Sequence, residues 1–105
     1  MQVKIQTDNH IEGGEGFVNW ATGAVSAALQ RYSDQISRIE VHLSDENGGK
    51  KTSPENKLCM IEVRLEGHQP LAVKQHADSL NQALDGAAEK MLHLIESTLG
   101  RTSRA

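Results

Sequence analysis

At 105 residues the chain has room for one hydrophobic core, within the ~100–150 residues typical of a single domain. Hydrophobic residues at 37% and charged residues at 24% exclude a disordered chain, and no apolar run approaches the ~18 residues a membrane helix needs. A formal net charge of −3 excludes whole-surface attraction to phosphate, and a single cysteine, Cys59, excludes an intramolecular disulfide and a cysteine-based metal cluster.

Gln2 to Thr7 alternates, with Val3, Ile5 and Thr7 on one side and Gln2, Lys4 and Gln6 on the other, the pattern of a half-buried strand. Asp8 to Gly16 is a loop by composition. Its GGEG lacks both the GxGxxG spacing and the Lys-Ser/Thr of a phosphate-binding loop, so its glycines read as turn formers. From Glu15 to Ser33 the period becomes helical. Val18, Ala21, Val25, Ala28, Leu29 and Tyr32 form an apolar stripe that Phe17 and Ala24 widen. Gly23 inside this helix costs up to ~1 kcal/mol relative to Ala, which predicts a close approach of a neighbouring element there. Trp20 falls off the centre of the stripe, either as a boundary residue at the sheet edge or as an exposed contact for a partner. Phe17, Trp20 and Tyr32 all sit in this one stretch, which weighs against a stacking platform for single-stranded nucleic acid.

Arg38 to Leu43 alternates again, placing Ile39, Val41 and Leu43 inward and Arg38, Glu40 and His42 outward. Ser44 to Asn56 is a polar hairpin connection carrying the adjacent Lys50 and Lys51. Its GGKKTS imitates the tail of a Walker A motif, but Ser44 stands where the first glycine belongs and the second lysine displaces the hydroxyl residue. Lys57 to Glu66 is a third strand, with Cys59, Ile61, Val63 and Leu65 inward and Met60, Glu62 and Arg64 outward. Cys59 in this register is a small buried hydrophobe. Gly67 to Pro70 makes a tight turn, and Leu71 to His76 a fourth strand with Ala72, Lys74 and His76 outward. The final helix, Ser79 to Gly100, buries Leu80, Leu84, Ala87, Ala88, Met91, Ile95 and Leu99. Ser79 and Gln82 form a capping box, Gly100 supplies a left-handed stop, and residues 101–105 are a polar tail. Residues 1–100 then form one α+β domain of order β-α-β-β-β-α, with two helices packed on one face of a four-stranded, mostly antiparallel sheet.

Catalytic chemistry has no foothold in this pattern. The histidines, His10, His42, His68, His76 and His93, show no HxxxH or HxH pair, and His42 and His76 meet on the open face without a cysteine or a trio of carboxylates, so no metal or cofactor is expected. Asp8, Glu12 and Glu15 read as a solvated acidic turn, and no serine or cysteine has the context of a nucleophile elbow. A non-enzymatic binding module remains, with no small-molecule substrate. Arg38, Arg64 and Lys74 share the helix-free face, and Lys50, Lys51 and Lys57 hang off one end of it. Glu40, Glu62 and Glu66 interleave with these cations, so charge alone reads as solubility.

The order of elements and several short strings carry more. The strand QVKIQT, the helix ending LQRYSDQI and the strand SRIEVHL precede a polar loop and KLCMIEVRLEG; LAVKQHA then runs into SLNQALDGAAEKMLHLI. Together they resemble the short form of the ribosome hibernation-promoting factor and protein Y family, also called sigma-54 modulation proteins. Ala83, Leu84 and Asp85 match that family's Ala-Ile-Asp, and Glu89, Lys90 and Met91 match its Asp-Lys-Leu. The absence of an apolar leader segment and of a membrane-length apolar run sets the expectation of a cytoplasmic protein. The resemblance implies a double-stranded-RNA-binding-like fold and docking on 16S rRNA in the decoding region of the small ribosomal subunit, where the family blocks mRNA and tRNA and preserves idle ribosomes. The residues expected to contact rRNA phosphates are Arg38, Lys50, Lys51, Lys57, Arg64, Lys74 and Lys90.

The chain also departs from the family. Ser79 and Asn81 replace an acidic–aromatic pair, and His93, Glu96 and Ser97 stand where further basic residues continue the helix. Fewer cations mean fewer displaced counterions and weaker rRNA binding. A second reading therefore stays open: a divergent member that has lost the rRNA footprint and acts as a protein-interaction module, self-associating through the open sheet face around Met60, Ala72 and Trp20.

Overall fold

The computed structural model describes residues 1–8, 14–45 and 57–103. Its elements are β1 (Gln2–Thr7), α1 (Glu15–Ala28), a short 3-10 turn (Gln30–Tyr32), β2 (Ile36–Asp45), β3 (Lys57–Leu65), β4 (Leu71–Ala77) and α2 (Leu80–Ser103). The four strands form one sheet in the order β1-β2-β3-β4. β1 and β2 are parallel, and α1 provides the crossover that parallel neighbours require; β2, β3 and β4 pair antiparallel. The expected α+β layout, with elements in the chain order β-α-β-β-β-α and a mostly antiparallel sheet, is the one found.

Period-2 alternation decides which side is covered. Ile39, Val41, Leu43, Cys59, Ile61 and Val63 are fully or almost fully buried, and they pack with Ala21 and Val25 of α1 and with Ala83, Leu84, Ala87, Met91 and Ile95 of α2. Each large aliphatic side chain so buried contributes ~1.5–3 kcal/mol over leaving it in water. Cross-strand register follows the same parity: Ile39 faces Val63, Val41 faces Ile61 and Leu43 faces Cys59.

Several local expectations need correction. The first helix stops at Ala28, not Ser33. Leu29 turns out of helical geometry at φ −107°, and Gln30–Tyr32 tightens into a 3-10 turn. That turn aims Arg31 and Tyr32 at α2, where both reach the Glu96 carboxylate, at 3.1 and 3.5 Å. Val18, placed by periodicity in the apolar stripe, is 37% exposed. β2 is longer than the alternating core Arg38–Leu43, because Ile36 adds a buried residue beyond an irregularity in pairing between Ile36 and Arg38. Gly100 does not end α2. The helix continues to Ser103, and the positive φ among the described glycines belongs to Gly67, in the turn between β3 and β4. The Ser79 cap is present, its hydroxyl accepting from the Gln82 N–H at 3.1 Å.

The close approach predicted at Gly23 is made elsewhere. A Cβ on Gly23 would meet nothing within 4 Å, whereas one on Gly86 would fall 2.7 Å from Gln75 Cγ. Gly86 therefore lets α2 lie directly on β4. Gly86→Ala sets a gain in helix propensity of up to ~1 kcal/mol against an overpacking cost of ~1–3 kcal/mol. Thermal unfolding should show Gly86→Ala destabilised in the native background and stabilised in the Gln75→Ala background.

Candidate nucleic-acid interface

The side chains opposite the core stand in rows across the sheet. The first holds Gln2, Arg38 and Arg64; the second Lys4, Glu40, Glu62 and Ala72; the third Gln6, His42, Met60 and Lys74; the fourth Ser44, Leu58 and His76. The expected meeting of Arg38, Arg64 and Lys74 on one face is thus found. The signs are banded: a cationic row, then a row in which two carboxylates outnumber one lysine, then a row ending in Lys74.

Pairing decides how much of that charge remains available. Arg38 is in an ion pair with Glu40, an exposed contact worth ~0–1 kcal/mol that cancels much of both charges nearby. Lys4, Arg64 and Lys74 have no ion-pair partner among the described residues, and neither does Glu62. Three cations therefore face outward against one uncompensated carboxylate. Lys4 was not among the residues expected to touch phosphate. Its signal was the outward parity of β1, which the parallel register turns into a place beside Glu40.

The other expected contacts lie apart. Lys57 has core-side parity at the start of β3, and its ammonium sits 3.1 Å from the Asp45 carboxylate. Asp45 is itself tied to β1, since its N–H donates to Asp8 Oδ2 at 3.1 Å. Lys57 thus belongs to a clip joining β1, β2 and β3 at one end of the sheet. Lys90 extends from α2 to the outer edge of β4, where its Nζ donates to the Lys74 carbonyl at 2.9 Å, and so it flanks Lys74 at the margin of the open face. Lys50 and Lys51 fall outside the described residues. Glu96, in the stretch that departs from the family pattern, has a structural job: it receives Arg31 and Tyr32 and ties the 3-10 turn to α2.

Among the described residues no group of three or more His, Cys, Asp or Glu is arranged to hold a metal ion. Cys59 is wholly buried, and burial pushes its thiol from 9.0 up to about 12, so at neutral pH it is a core side chain and a poor nucleophile. A hollow of about 230 Å³ lies on the open face, lined by His42, Met60, Ile61, Glu62 and Ala72. The surface can therefore offer cations for phosphate, a carboxylate for hydrogen-bond donors and shallow recesses, the 230 Å³ hollow and a larger one of about 580 Å³ bordered by Gln6, His42, Ser44, Leu58 and Met60.

The family described as sigma 54 modulation protein / S30EA ribosomal protein matches the chain over residues 3–102. No curated protein sequence matches it. Among solved structures, a ribosomal subunit interface protein from Coxiella burnetii aligns with a TM-score of 0.70 at 14% identity, covering 95% of this chain and 99% of that one. The N-terminal domain of Protein Y from Thermus thermophilus aligns with a TM-score of 0.71 at 19% identity, over 93% and 99% of the two chains. At such identities the likeness is one of fold.

Burial of Cys59 has a measurable alkaline signature. Below pH 9.0 the thiol is protonated in both the folded and unfolded states. As pH rises from 9.0 towards about 12 the unfolded chain releases the proton first, so stability falls across that window. Chemical denaturation over this range should give a flatter pH dependence for Cys59→Val than for the native protein, and parallel curves would contradict the assigned burial.

Proposed function

The chain belongs to the sigma 54 modulation protein / S30EA ribosomal protein family, and from that membership we propose that it is a cytoplasmic, ribosome-associated translation inhibitor of the hibernation-factor kind. It acts by binding alone, without cofactor or catalysis, and its target is the rRNA of the small ribosomal subunit. The observation that carries this reading is the family match over residues 3–102, almost the whole chain. The solved structures it resembles are described as a ribosomal subunit interface protein and a Protein Y domain, which agrees with such a role.

The physical basis is local rather than global. A protein of net charge −3 is repelled by RNA as a whole, so attraction has to come from cations grouped on one surface. Lys4, Arg64 and Lys74 are such a group, with Arg38 beside Arg64 and Lys90 at the β4 margin. Lys50 and Lys51, between β2 and β3 in sequence and outside the described residues, add two further charges to the proposed contacts. Each phosphate contact releases condensed counterions, which makes binding steeply salt-dependent.

One observation favours the second reading. The row of Glu40 and Glu62 interrupts the cations, and Met60 stands 37% exposed beside it, a mixture suited to a protein surface, including a second copy of this chain. Co-sedimentation with 70S ribosomes and 30S subunits over a salt series separates the two. The ribosomal reading expects stoichiometric pelleting that weakens as salt rises. It also expects Lys50→Glu, Lys51→Glu and Arg64→Glu together to flatten the log–log salt slope by about 0.7–0.9 per contact and to release the protein from 30S. Protein left at the top of the gradient at low salt would transfer the function to a protein partner.

A further inference from the structure

We propose that the hollow beside Glu62 takes one unpaired guanine base, with Glu62 as the group that selects it. This inference rests on the rRNA-binding reading and specifies what its open face would recognise. The hollow exists because Ala72, a small exposed residue of β4, lies directly across from Glu62, while Met60 and His42 form a cross-strand pair in the next row. At about 230 Å³ it is smaller than the ~300–1,000 Å³ of drug-sized pockets, which suits one ring system and not a whole nucleotide.

Its walls have the right chemistry for a base. Met60 is the one large apolar side chain of β2, β3 and β4 left exposed among the described residues, and a thioether packs well against an aromatic ring. His42 adds the planar surface, a stacking role that histidine takes with unstacked RNA bases. Neither residue makes a multi-base platform, which agrees with the scarcity of aromatics in the chain.

Glu62 supplies selectivity. An ionised carboxylate only accepts hydrogen bonds, and its two oxygens suit two adjacent donors. Guanine presents N1–H and N2–H side by side, whereas cytosine and adenine each offer one amino group and uracil sets its single N–H between two carbonyl oxygens. Glu62 is available for this, since Glu40, the carboxylate across from it, is the one engaged by Arg38. Arg64 lies two residues along β3 from Glu62, and Lys74 two along β4 from Ala72. These cations can receive the phosphates on either side of the base and offset the repulsion between Glu62 and the RNA backbone.

The test measures binding of the full chain to labelled single-stranded RNA heptamers at low salt by fluorescence anisotropy. All have uridine at the flanks, with guanine, inosine, adenine, cytosine or uracil at the centre. Guanine is expected to bind roughly tenfold or more tightly than uracil, with inosine, which lacks the N2 amino group, in between. Glu62→Gln should bring the guanine-to-uracil ratio close to one. Ala72→Leu, at an exposed position, should fill the hollow and erase the preference without lowering the melting temperature. Heptamers bound alike by the native protein, or not bound at all, overturn the guanine site. If the same preparation still pellets with 30S subunits, the rRNA reading survives that failure; if it does not pellet, both fall.

Discussion

One-sided burial is the constraint on which the rest of this structure depends. Ile39, Val41, Ile61 and Val63 on the two central strands are fully removed from water, and α1 and α2 both serve to cover them. A strand slipped by one residue would exchange this apolar set for Arg38, Glu40, Glu62 and Arg64, forfeiting ~1.5–3 kcal/mol per aliphatic side chain and burying charge as well. The outward rows are therefore held in place by the inward ones. The candidate interface has no scaffold of its own; its geometry is a by-product of the core.

That coupling explains how an acidic protein can present cations to an acidic polymer. At physiological ionic strength the field of exposed charges fades over ~8 Å, so a few lysines and arginines on one face count for more than the net charge of the chain. The banding of the rows then acts as a filter. A uniformly positive sheet would hold any RNA, whereas a carboxylate set among cations penalises every placement that brings a phosphate over it. Lost general affinity is exchanged for dependence on position.

Much of the fold was legible in the sequence because alternation over Gln2–Thr7, Arg38–Leu43 and Lys57–Glu66 leaves little freedom in which face is buried. Which residues pair, Arg38 with Arg64 and Met60 with Lys74, is not fixed by parity, since a shift of two residues keeps both faces unchanged. What escaped depends on contacts between distant segments. Just past the end of α1, Arg31 and Tyr32 reach Glu96 of α2, more than sixty residues away in sequence. The role of Gly86 is invisible without Gln75 beneath it, and Gly23 attracted attention for a contact it does not make. The site was partly legible for the same reason. Parity put Arg38, Arg64 and Lys74 on one face, but no periodicity could show that Lys57 is held by Asp45 or that Lys90 bends back to a backbone carbonyl.

That bend of Lys90 has a consequence for the molecule in a crowded cell. β4 ends the sheet, and a bare terminal strand is a template on which other chains can add strands and aggregate. Here the Lys74 carbonyl accepts from Lys90, and the carbonyl of His76 accepts from the Gln75 amide at 2.8 Å, so two of the acceptors a newcomer needs are already occupied. An invading strand would also have to displace a charged side chain. The same lysine that borders the candidate interface thus acts as a stopper against fibrous self-assembly.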